Sequence, residues 1–251
     1  MLNPFEPVTI AGPEGEQTLT RPLRLGATLS AFPARSALIV DEQTSLTIFM
    51  PNLAVSSVSD DDVLHSANRF AIETPLGWEI IAARDVTLVG AHEYALSHLL
   101  RGLDGTDIYQ ADPLASGARI LWLGSGVETL ALSADWRGTS VTVTGMTQSR
   151  AAQATDLIWQ DLAGVPLHPV HATWDSQRLS WIGRDRAFTG WESDADHLRY
   201  RVRLYRGETI ETVDTTQTFI ETSEFDRAEI VQLGPDGRES LMPETLNVGG
   251  A

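Results

Sequence analysis

Leu198-Arg199-Tyr200-Arg201-Val202-Arg203-Leu204 is the stretch whose pattern decides the fold class. Leu198, Tyr200, Val202 and Leu204 share one face, and Arg199, Arg201 and Arg203 share the other. Side chains alternate faces along a strand, so this pattern predicts a half-buried antiparallel strand with a charged outer face. Upstream, Arg178-Leu179-Ser180-Trp181-Ile182 reads as a second strand. Residues 167–174, opened by Pro166 and interrupted by Pro169, read as an edge strand. Downstream, residues 208–213, 218–220 and 228–233 are short strands, and Gly234-Pro235-Asp236-Gly237 is a turn. Residues 240–248 close the set, with Pro243 marking an edge or a bulge. Seven short strands in about 85 residues is the count of a small β-sandwich. Trp181, facing Tyr200 or Val202, is its expected core anchor.

The first 165 residues predict antiparallel β-structure with many turns. Residues 1–35 carry Pro4, Pro7, Gly12, Pro13, Gly15, Pro22 and Pro33, which argues for an extended arm rather than a helix. Residues 36–41, a turn, and the alternating Leu46, Ile48 and Met50 read as a hairpin. Asp60-Asp61-Asp62 lacks the alternating spacing of a calcium loop and reads as a solvated turn. Residues 78–81 and 86–89 read as two strands, followed by a turn at Gly90-Ala91-His92 and a strand over 94–100. Further strands are expected at 120–123, 129–132 and 141–144, and one helical turn at 149–155. The whole is all-β, divided as 1–35 (arm), 36–165 (β-rich domain) and 166–251 (sandwich).

Composition limits what such a chain does. The net charge is −16 over 251 residues, and all 18 basic residues are arginines. Nine arginines face 19 acids before Val165, and nine face 15 after it, so neither half is a basic module. That balance opposes phosphate backbones and excludes generic nucleic-acid binding. No apolar run approaches the ~18 residues of a membrane helix, so no membrane insertion is expected. The first residues have neither the basic start nor the apolar core of a secretory signal. Zero cysteines exclude disulfides and thiolate metal sites and suit a reducing cytoplasm.

Several short motifs then occur in order: Asn68, Glu79-Ile80-Ile81, Tyr94-Ala95-Leu96-Ser97, Leu99-Leu100-Arg101-Gly102 and Gly105-Thr106. Pro166-Leu167-His168-Pro169-Val170-His171, Leu179-Ser180-Trp181-Ile182, Arg184, Arg186, Trp191 and Tyr200-Arg201-Val202 follow. The series resembles the C-terminal region of the large baseplate (tail tip) protein of gene transfer agents and related alphaproteobacterial siphophages, from about residue 36 to 248. The resemblance implies a fibre-binding adaptor domain followed by a fibronectin type III-like sandwich. Arg101, Gly102 and Gly105 become structural residues of the first. It also implies other tail-tip proteins as partners (hub, distal tail, fibre or receptor-binding protein), several copies per particle, three by the family pattern, and a place in the virion after assembly in the bacterial cytoplasm. The pattern carries an arginine directly after the Trp-hydrophobic pair, where this chain has Gly183. The relatives also carry hub domains and a glycosidase-like barrel, which the 251 residues of this chain, starting at Met1, are not expected to hold. Hydrolytic activity is therefore not expected of it.

The residues offer little else in the way of chemistry. His168 and His171, three apart on a strand, would point to opposite faces and lack a third ligand. His92-Glu93 is not a triad arrangement, and Gly124-Ser125-Gly126 lacks the full nucleophile elbow. Asp104 and Asp107 flank a turn and are read as turn formers rather than a glycosidase pair. Neither enzyme nor cofactor is expected. Arg199, Arg201 and Arg203 are the candidate partner-binding residues, because guanidinium groups take carboxylates bidentately; the alternative is that they pair with nearby Asp and Glu. The expected function is a structural tail-tip component in host attachment, with a free-standing carbohydrate-binding or adhesin protein as the alternative.

Overall fold

The computed structural model describes residues 6–35, 40–65, 67–124, 126–185 and 198–248. Expectations for residues 36–39, Ser125, Arg186 and Trp191 lie outside the described residues. The chain is all-β and forms two compact units, residues 1–162 and 163–251.

The strands of the first unit are β1 (Val8–Gly12), β2 (Gly15–Leu19), β3 (Arg24–Thr28), β4 (Leu46–Phe49), β5 (Arg69–Thr74), β6 (Gly77–Gly90), β7 (Glu93–Leu103), β8 (Arg119–Trp122), β9 (Ser140–Met146) and β10 (Gln153–Ile158). Six of them close a barrel in the order β3-β4-β7-β6-β5-β8. Its interior is filled by Phe32, Leu46, Ile48, Met50, Phe70, Ile72, Ile81, Leu96, Leu99 and Ile120, all fully buried. Closure leaves these strands no open edge. The other four make an antiparallel sheet ordered β10-β9-β1-β2.

Of the arm expected at residues 1–35, the described part, 6–35, is not a lone extended segment. Prolines and glycines fall between the strands: β1 and β2 form a hairpin around Pro13-Glu14, and β3 enters the barrel. The hairpin expected across 36–50 is also corrected. β4 pairs with β3 and β7, while Asp41 bridges Leu99 instead. Residues 78–89 form one continuous strand, because Arg84 and Asp85 do not end it. Arg84 donates to the Asp85 carboxylate at 3.0 Å and to Asp60 at 3.1 Å. Asp60 opens a one-turn helix, α1 (Asp60–Leu64), rather than a loose turn. Ser59 caps it, accepting from the Asp62 N–H while Asp62 accepts from the Ser59 N–H; the aspartates sit where the helix dipole favours negative charge.

No strand forms at 129–132. That segment lies against the four-stranded sheet, where Gln17 Nε2 donates to the Thr129 carbonyl at 3.0 Å. Nor does 149–155 turn helical. Its alanines are strong helix formers, but tertiary pairing overrides propensity: Gln153, Ala154 and Thr155 pair with β9.

The second unit holds β11 (Val170–Trp174), β12 (Arg178–Ile182), β13 (Arg199–Arg206), β14 (Thr209–Thr215), β15 (Phe219–Glu221), β16 (Arg227–Leu233) and β17 (Glu244–Asn247). They form two sheets, β11-β12-β15 and β14-β13-β16-β17. Leu179 and Trp181 from the first pack with Tyr200, Val202, Leu204, Ala228 and Ile230 from the second in one core. This is a two-sheet sandwich, the architecture expected of a fibronectin type III-like domain. β11 and β17, the strands marked by Pro169 and Pro243, are both edges.

Candidate interaction surfaces

Arg101 ends the run Leu99-Leu100-Arg101-Gly102 on β7, and its guanidinium is turned into the barrel. Its Nε and Nη2 donate to the two carboxylate oxygens of Glu79 on β6, at 2.6 and 2.8 Å. Nη1 donates to the Pro33 carbonyl at 2.9 Å, and the group lies 3.6 Å from the centre of the Phe32 ring. Both charged side chains are only 1% exposed. Two buried charges persist because the pairing is bidentate and is backed by further hydrogen bonds, from the guanidinium to the Pro33 carbonyl and from the Gly102 N–H to Glu79. Gly102, at φ 62°, turns the chain so that its own N–H reaches Glu79 at 3.3 Å. Gly105, at φ 82°, lies so close to the Leu162 carbonyl that a side chain there would overlap it. This motif is a lock inside the barrel, not a surface. Arg101 and Glu79 were both legible as motif residues, but nothing local paired them across 22 positions.

The arginine stripe faces outward on β13, but its charge is largely taken up locally. Arg201 makes a bidentate pair with Asp214, its cross-strand neighbour on β14, at 2.8 and 2.7 Å. Its remaining nitrogen donates to Glu239 at 2.9 Å, which also accepts from Arg203. Arg199 donates to the Gly234 carbonyl at 3.1 Å. One strand on, Arg227 lies over the Tyr205 ring at 3.9 Å, and the Tyr205 hydroxyl donates to Glu229 at 2.7 Å. Hydrogen bonds from Arg201 hold Asp214 below the usual carboxylate range, and those from Arg203 and then Arg201 do the same for Glu239. The face is an ion-pair network. Glu239, which no sequence pattern marked, is its hub.

Trp181 and Tyr200 meet edge to face across the sandwich, centroids 5.4 Å apart, and Val202 is fully buried beside them. Burial pushes the Tyr200 phenol up to about 12.

The remaining candidates are scattered. His168 precedes β11, and His171 sits at a bulge with φ 57°, so neither lies on the regular strand expected. Asp104 is ion-paired with Arg69. An open groove of about 530 Å³ lies between β14 and β15, floored by Leu204, Val213 and Ile220. Among the described residues, no three His, Asp or Glu side chains converge to hold a metal ion.

A family model described as Rcc01698-like, C-terminal, matches residues 23–121, less than half of the chain. The matched stretch begins just before β3 and ends within β8, so it coincides with the six barrel strands. No curated protein matches the chain.

Proposed function

We propose that this protein is a structural, non-catalytic component of a phage or gene transfer agent tail tip, connecting a hub to fibres or receptor-binding proteins. The observation that carries the reading is the coincidence of the family match with the closed barrel. The ordered motifs shared with baseplate proteins, which continue into the sandwich, support it. So does the build of the molecule: a barrel locked from inside and a sandwich faced with ion pairs are stiff modules, suited to holding neighbours at fixed geometry. The barrel would act as the adaptor and the sandwich as the spacer, in repeated copies within the particle.

The test is to purify particles from a strain encoding the chain and from its deletion. Peptides of the protein in intact tails, density for a six-stranded barrel at the tip, and loss of host attachment on deletion are the expected results. Intact, infective particles without the chain, together with glycan binding by the free protein, would favour a free-standing adhesin instead.

A further inference from the structure

The four-stranded sheet leaves one edge without the protection that the other edges carry. β10 pairs with β9 over six consecutive positions without a bulge, and all six of its residues are exposed. The direction of its free backbone groups follows from the ladder. Trp159 bonds inward, its N–H to the Thr139 carbonyl and its carbonyl to the Gly138 N–H. Antiparallel bonding alternates, so Gln153, Thr155 and Leu157 also bond inward, and Ala154, Asp156 and Ile158 present N–H and C=O outward. Among the described residues, no strand pairs with that side.

Sheet edges are normally guarded by charge, proline, bulges or brevity. The other open edges fit that rule. β2 carries Glu16 and follows Pro13; β11 follows Pro169 and contains a bulge; β15 is three residues long; β17 follows Pro243. β14 carries Glu211 and Asp214. β10 has none of these devices but Asp156, and Thr142 draws that carboxylate back over the sheet with a 2.6 Å hydrogen bond. Leu157 and Ile158 beside it are 41% and 63% exposed.

We propose that the outer edge of β10 pairs, antiparallel and about a two-fold axis, with the same edge of a second copy of this chain. The strand is self-complementary in this arrangement. Outward-bonding residues meet outward-bonding residues, with the largest overlap, when Thr155 or Asp156 lies opposite its symmetry mate; the Thr155 register avoids setting the two Asp156 carboxylates together and places each against Ala154 of the other copy. The threonine-rich face of one sheet then continues into that of the next, and Leu157 extends the apolar face formed with Val141 and Val143. The result is a continuous eight-stranded sheet. A pairing of five residues on each strand, 153–157, is small beside the ~1,600 Å² of a standard interface, so the dimer depends on concentration.

Sedimentation of the full chain over a wide concentration range tests this, with hydrogen exchange as a second readout. The wild type should pass from monomer to dimer, with the amides of Ala154 and Asp156 gaining protection as it does. Thr155→Lys should push the equilibrium back at least tenfold without changing the melting temperature, because two lysines then meet on the axis. Ala154→Lys should tighten it, because each lysine meets Asp156 of the other copy. A wild type that stays monomeric, a dimer indifferent to Thr155→Lys, or a three-copy species would overturn the pairing.

Discussion

Tyr200 fills the space that a side chain at position 183 would need. A Cβ on Gly183 would overlap the Tyr200 hydroxyl and crowd Leu198. The glycine that departs from the baseplate pattern is therefore matched to a tyrosine on β13. Gly183→Ala should destabilise the sandwich by about 1–3 kcal/mol, the usual cost of overpacking. Adding Tyr200→Phe removes the overlapping oxygen and should restore part of the loss. Chemical denaturation of the three variants measures it, and equal losses in the single and double variants would contradict the pairing.

Breaking the buried pair in the barrel should cost more than any surface change. Arg101→Ala or Glu79→Gln strands one charge or its partners in the interior, an expected loss of about 3–5 kcal/mol. Replacing both together, Glu79→Leu with Arg101→Met, should cost clearly less than the sum of the singles, since no lone charge remains. Thermal unfolding of the full chain followed by calorimetry is the check.

Trp181 anchors the other core. Trp181→Ala opens a cavity between the sheets and should cost about 3–5 kcal/mol, a large part of what a domain of this size holds. The sandwich should melt earlier while amide exchange in the barrel strands β4–β7 stays unchanged, because each compact unit has its own core.

The ion-pair face predicts a pH dependence. Asp214 and Glu239 are held below their ordinary values by arginine in the folded chain, so they contribute stability that is present above the unfolded carboxylate range, about pH 4. It is lost as pH falls through the lower, folded values. The melting temperature of the sandwich should therefore drop on acidification below about pH 5. Replacing both Arg201 and Arg203 with Ser should flatten that drop while changing stability at neutral pH by less than about 1 kcal/mol, since these groups are partly exposed.

Period-two stretches could be read from sequence because burial on one face repeats locally. Tyr200, Val202 and Leu204 on β13, and Leu46, Ile48 and Met50 around β4, lie inward as their spacing predicts. What depended on distant partners could not. The strands of residues 8–28 are hidden by their prolines, and only their pairing with β9, β4 and β8 makes them strands. Arg84 and Asp85 read as an interruption because their salt bridge lies outside the apolar pattern. At the surface, the arginines of β13 were visible, but Glu239 lies 36 positions from Arg203 and beyond a turn. Nothing local says whether a charged stripe is free or already answered.

The guanidinium of Arg101 asks something of Pro33 as well as of Glu79. A carbonyl on the segment leading out of β3 accepts a hydrogen bond from a cation that is only 1% exposed. The barrel therefore cannot release its first strand and remain otherwise intact. Peeling away the amino-terminal segment takes both the Pro33 carbonyl and the Phe32 ring from the cation at once. Opening at that seam becomes a single cooperative event rather than a gradual fraying.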